Sequence, residues 1–211
     1  MTPQNGTARQ LSDEQFQVLH GAALCQTVDV AGVAETIGVA EEAVNAELEA
    51  AIERGDVLRI RTSMLVSEQG QELLRQEYER RYAELHEDAR YAETLDRFET
   101  VNKQLLTVMS DWQTVSVGDS RVPNDHSDTS YDAEVIGRVG DIVDRVERVL
   151  VPFSEAEPRI GRSCERLGSA VDRALAGETD YVSGITVASV HTVWFQLHED
   201  LLRLMGRERD E

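Results

Sequence analysis

The feature that most constrains this chain is a change of hydrophobic period at Gly55. Before it lie three short stretches whose apolar residues recur at helical spacing. Ser12 and Gln15 stand at capping-box distance and open the first, with Phe16, Leu19 and Ala23 on one face. Asp29 can cap a second, Val30 to Ile37, which Gly38 stops. A third runs from about Glu41 to Arg54, with Val44, Leu48 and Ile52 aligned and Gly55 as its terminator. After Gly55 the pattern alternates instead. Val57-Leu58-Arg59-Ile60-Arg61 and Met64-Leu65-Val66, joined by Thr62-Ser63, read as a hairpin, and Ser67 caps the next helix. Three helices and a hairpin within ~60 residues describe a winged helix-turn-helix over residues 10–75.

The string GDVLRIRTSMLVSEQG, followed by an Arg- and Glu-rich helix, resembles the wing and exit helix of the MarR-type winged-helix family, over about a third of the chain. That resemblance implies a DNA-binding transcriptional regulator, homodimeric through its long helices, with a small-molecule pocket. Asn45, Arg54, Arg59 and Arg61 are then the DNA-contact candidates. Charge argues the other way. The chain carries a net −19, and residues 11–70 hold eleven acids against three arginines. The third helix, where a DNA reader presents side chains to the major groove, has five glutamates and one arginine between Ala40 and Arg54. Nucleic-acid affinity comes mainly from neutralising phosphates, so such a helix is expected to dock protein instead.

Residues 76–211 read as an antiparallel helical bundle, which makes the whole chain mainly α. Gln71 to Trp112 lacks Pro and Gly and reads as one long helix or two nearly continuous ones, striped by Leu74, Tyr78, Tyr82, Leu85, Leu95 and Phe98. Val115 to Asp128 reads as a less regular stretch. Ile136, Val139, Val143, Val146 and Leu150 mark a further helix, which Pro152 is expected to end. Pro158 opens the next, Gly177 to Gly184 reads as a linker, and the last helix spans about Val187 to Met205.

Two segments set histidines and carboxylates among apolar stripes. One is Asn124-Asp125-His126-Ser127-Asp128, leading to Tyr131 and Asp132; the other carries His191, Trp194, His198 and Glu199. If the first folded over the last helix, His126 with Asp125 or Asp128 could meet His191 or His198, giving a metal site or an acid–base pair. The leading reading is a buried polar network, with a ligand or anion pocket as a third. Asp125 or Ser127 can cap a helix starting near Ser130, and a seven-residue spacing is poor for joint metal ligation. Trp112 reads as bundle packing at the end of the long helix.

The strings DWQ, NDHSDTSYDAEVI, PRIGRSCERL and SVHTVWFQLHEDLLRLMGRERDE resemble a helical region of actinobacterial proteins that accompanies phosphoenolpyruvate-utilising, pyruvate-phosphate-dikinase-like domains. The likeness covers most of residues 75–209. It implies a protein partner of that enzyme type, since the chain holds no phosphohistidine swivel or nucleotide-grasp region of its own.

What is missing narrows the chemistry. Lys103 is the sole lysine, so there is no phosphate-cradling G-x-x-x-x-G-K-[ST] loop. H-E-x-x-H, G-x-S-x-G and a strand-linked G-x-G-x-x-G are absent too, and no cofactor or metal is implied. Cys25 and Cys164 make no disulfide framework. Met1 to Gln10 has no apolar core of a signal peptide, and no segment suits a bilayer. The sequence is therefore expected to encode a cytoplasmic, non-catalytic regulatory or accessory protein. The MarR-like regulator and a small enzyme or metal-binding protein built on the His/Asp cluster are the alternatives.

Overall fold

The computed structural model describes residues 9–25, 28–61, 63–118 and 120–207, and of residue 117 its backbone. The expected turn residue Thr62, most of the polar N-terminal stretch and the last residues of the GRERDE string lie outside this set. The described chain forms two compact units, residues 9–87 with 202–207, and Asp88–Leu201.

The first unit is a winged helix. Helix α1 (Asp13–Leu24) opens on the full capping box. The Ser12 side chain accepts from the Gln15 N–H, and the Gln15 side chain accepts from the Ser12 N–H. Asp29 caps α2 (Val30–Ile37), accepting from the Gly32 N–H at 2.8 Å. Helix α3 (Glu41–Arg54) closes at Gly55, whose φ of +82° suits glycine. Strands β1 (Val57–Ile60) and β2 (Ser63–Val66) pair antiparallel, with Leu58 opposite Leu65. Val28, between α1 and α2, bridges to Met64, so β2 lies between that segment and β1. Phe16, Leu19, Val33, Val44, Leu48, Val57 and Leu74 fill the core.

Helix α4 (Glu68–Arg81) starts at Ser67, whose side chain accepts from the Gly70 N–H, and a short α5 (Ala83–Glu87) follows. A Cβ at Gly70 would sit 2.2 Å from the Asp56 carbonyl oxygen, so α4 can seat against the α3–β1 turn only without a side chain there. The Leu11 N–H donates to buried Glu77, and Arg81 joins Glu77, Asp13 and the Leu11 carbonyl, which pins the entry of α1 to α4. His86 Nε2 lies 2.8 Å from the Leu204 carbonyl oxygen, holding the C-terminal residues to this unit.

The second unit is a bundle of α6 (Ala89–Gln113), α7 (Thr129–Val149), α9 (Pro158–Leu175) and α11 (Val190–Leu204, to Leu201 here). α6 packs on α7 and α7 on α9. Arg166–Gln196 and Arg159–Asp200 contacts join α9 to α11, and Phe98 stacks on Trp194 to close the ring. Leu95, Val135, Val146, Phe153, Ile160, Leu167 and Leu197 occupy its centre.

Four local expectations are corrected. The long helix breaks at Tyr82 and again at Asp88, whose carboxylate caps α6 by accepting from the Arg90 N–H. The stretch from Val115 begins as a second hairpin, β3 (Thr114–Val117) and β4 (Ser120–Pro123), reversing at Gly118 with φ +61°. Pro152 sits in the first turn of α8 (Val151–Ala156), where its missing N–H costs nothing, so the chain turns straight into another helix. The linker holds one helical turn, α10 (Asp180–Ser183). Cys25 and Cys164 are not disulfide-bonded, and burial pushes the Cys164 thiol up to about 12. Among the described residues, no helix is long and apolar enough to cross a membrane.

Two measurements test this account. Gly70→Ala should lower stability by about 1–3 kcal/mol in urea unfolding, through overpacking against backbone that cannot yield. Burial opposes ionisation of Asp56 and Glu77, but their arginine and N–H donors outweigh it and hold both carboxyls below the ordinary range. Their contribution is thus present above the unfolded-state pKa and lost as pH falls through the folded one. Stability of the first unit should therefore drop below about pH 4, and Glu77→Gln should flatten that slope.

Candidate functional site

The Asn124–Asp132 segment organises around a carboxylate. Asp132 lies four residues beyond Asp128 on the same face of α7 as Val135, Ile136 and Val139, and is buried. It receives the Asn124 amide at 2.9 Å and faces His126 Nδ1 at 3.0 Å. The same amide also donates to the Trp112 carbonyl oxygen, and the His126 ring lies on the Trp112 ring with centroids 4.4 Å apart. His126 adopts φ +57°, a left-handed conformation held by its N–H donating to the Asn124 side chain. Trp112 Nε1–H donates to Ser183 Oγ, and the Tyr131 hydroxyl donates to the Asp111 carbonyl oxygen. Asp128 caps α7, accepting from the Ser130 and Tyr131 N–H groups. Asp125 is exposed and accepts from the Ser127 N–H in its own turn.

The second segment forms a separate network. His198 Nε2 lies 2.6 Å from Glu99 Oε1 and its ring packs on Phe98; Trp194 Nε1–H donates to Asn102 Oδ1 at 2.9 Å. His191 is exposed, and Glu199 is half-buried. His126 touches Asn124, Asp132 and Trp112, whereas His198 touches Glu99 and Phe98. The meeting of His126 with His191 or His198, on which the metal-site or acid–base reading depends, does not occur, and the residues form two separate polar networks. The reason is where each segment anchors on α6. Trp112 lies thirteen residues beyond Glu99, about 20 Å along the axis at 1.5 Å per residue. Among the described residues, no cluster of three His, Cys, Asp or Glu side chains is placed to hold a metal.

What the Asp132–His126 pair can do is orient one imidazole against an indole, with the ring part-exposed. Asp132, on which the first cluster converges, and Glu99, Asn102 and Ser183 lie outside the site residues expected from sequence, although the spacing of Asp132 to Val135 and Val139 places a carboxylate on the apolar face.

On the winged helix two of the three basic candidates are engaged. Arg54 pairs with Glu47 and Asp56, and Arg59 pairs with Glu49, so two of the wing-side cations are spent on acids of α3 and of the α3–β1 turn. Asn45 is exposed; Arg61 is exposed too, at φ +56° in the wing turn. The opposite character appears on the other side of the wing. Leu58, Ile60 and Leu65 are 47%, 54% and 41% exposed and share one face, because Leu58 and Leu65 are cross-strand partners and Ile60 follows Leu58 by two. Leu58 and Leu65 line an open groove of about 780 Å³ whose other wall is Glu68, Glu72 and Arg75 at the start of α4.

No family model, no curated protein and no solved structure matches this chain. Removing the central carboxylate tests the first network. Asp132→Ala should cost about 1–3 kcal/mol by stranding the Asn124 amide, and hydrogen exchange should rise across residues 124–131 but not around Trp194.

Proposed function

We propose that this chain is a cytoplasmic, non-catalytic regulatory or accessory protein whose winged helix docks a protein partner. One observation carries the reading. Arg54 and Arg59, two of the three cations that a DNA-binding reading would aim at phosphates, pair with the protein's own carboxylates and leave Arg61 at the wing turn, while three large apolar side chains of the wing are exposed. Phosphate binding rewards free cations, and an acidic surface repels the duplex. Contiguous exposed apolar side chains rimmed by polar ones mark interaction surfaces on soluble proteins. The MarR-type likeness supports the winged-helix architecture and not its usual ligand. The likeness of the second unit to the helical companion of phosphoenolpyruvate-utilising domains makes an enzyme of that type the first partner to try.

The discriminating experiment pairs two assays on the intact chain. Immobilised protein should retain one partner from its native lysate, and Leu58→Asp with Ile60→Asp should abolish that retention while His191→Ala leaves it intact. In parallel, the chain should not retard a duplex from its own upstream region at about 50 mM salt, where electrostatic binding is strong. Retardation there that Arg61→Ala weakens, with no partner lost on wing substitution, would establish the DNA-binding alternative.

A further inference from the structure

The wing's free edge has a chemistry that specifies what can bind it. Strand β2 is flanked on both sides, by β1 and by the Val28 bridge, whereas β1 pairs with β2 alone among the described residues. Leu58, Arg59 and Ile60 are all exposed, so both faces of β1 are accessible along three consecutive residues. Edge strands in natural proteins are guarded by proline, bulges or outward charge. β1 has no proline or bulge, and its one charge, Arg59, is drawn onto Glu49 of α3. The unguarded edge has two unlike faces. One presents Leu58, Ile60 and Leu65. The other is the Arg59 face, which lies beside Glu49, and Glu53 follows Glu49 by one helical turn on the same side of α3. Glu53 is exposed.

From this placement we infer that β1 accepts an extended segment of a partner protein in which apolar residues alternate with arginine or lysine. Added as a strand, such a segment takes main-chain hydrogen bonds from the β1 edge. It lays its apolar side chains beside Leu58 and Ile60 and points its cations towards Glu53, the acid on that side of α3 that Arg59 does not hold. Charge selects this occupant over a second copy of the chain or a nucleic acid. Residues 11–70 hold eleven acids and three arginines, two of which are already paired, so a like-charged partner would be repelled and a cationic one drawn in. The inference rests on the docking reading and adds the conformation and charge of what docks.

The test uses the full chain and short fluorescein-labelled peptides read by anisotropy. A peptide alternating Val and Arg should bind saturably. Leu58→Asp should weaken it about tenfold or more, and Glu53→Lys several-fold, both positions being exposed and both variants checked for an unchanged unfolding midpoint. A peptide of the same composition with its Val and Arg in separate blocks should bind far more weakly. Equal binding of the blocked peptide, or affinity unchanged by Leu58→Asp, means general attraction to an acidic chain and overturns the inference. Binding of a Val/Glu peptide that Leu58→Asp abolishes overturns the charge assignment yet leaves the docking reading standing. If no peptide binds, the edge assignment falls, and retention of a partner from lysate still decides the docking reading independently.

Discussion

The Asp56 carboxylate is the interaction on which the winged helix depends. It is fully buried at the turn where α3 gives way to β1, and it gathers Arg9, Arg54 and the Gln69 amide. Its backbone is committed as well. The Asp56 N–H donates to the Ala51 carbonyl, and its own carbonyl accepts from the Ser67 N–H. One residue thus joins the end of a helix, both strands of the wing and the start of α4. Gly70 completes the arrangement by letting α4 approach that same carbonyl. A buried carboxylate is tolerable only when its partners are in place, because removing them leaves a charge with no water to solvate it. The fold therefore holds Arg54 between Glu47 and Asp56 for a structural reason.

Much of this unit was legible from local residue chemistry. Ser12 with Gln15, Asp29, Gly38, Gly55 and Ser67 each act through hydrogen bonds or backbone conformations within a few residues, and these the chain spells out directly. The wing was legible because a period of two is incompatible with a helix. The second hairpin was harder to see. Val115, Val117 and Val122 alternate over only four residues a side, among Ser and Asp residues that equally suit a loop. The breaks at Tyr82 and Asp88 also escaped the apolar stripe, since a stripe is blind to a capping carboxylate that interrupts it without changing its phase.

The polar clusters show a different limit. Periodicity places His198 and Trp194 on the inner face of α11 and Asp132 on the inner face of α7, and all three are buried there. It does not say which level of α6 each one meets. Trp112 and Asn124 set one level, Glu99 and Asn102 the other, and the rise of α6 keeps them apart. Each network is closed by amide, indole and carboxylate groups that satisfy one another, as buried polar groups must. Such closure gives the histidines on a tryptophan stripe a part in fixing how the bundle packs.

Arginine usage links the two themes. In the first unit Arg9, Arg54, Arg59, Arg75, Arg80 and Arg81 all contact carboxylates of the same unit. Arg75 engages both Glu72 and Glu79 on α4, and Arg81 reaches across to Asp13. Guanidinium groups suit this role because their planar fork engages carboxylates bidentately in a fixed geometry, which the compact ammonium of lysine does not offer. With these arginines paired, the first unit presents outward mainly glutamate and exposed aliphatic side chains, with Arg61 at the wing turn. A net charge of −19 then has a local meaning. It measures how far the acids outnumber the cations that offset them: the wing itself, residues 57–66, holds two arginines and no acid, and the excess lies on the neighbouring α3, with five glutamates against Arg54.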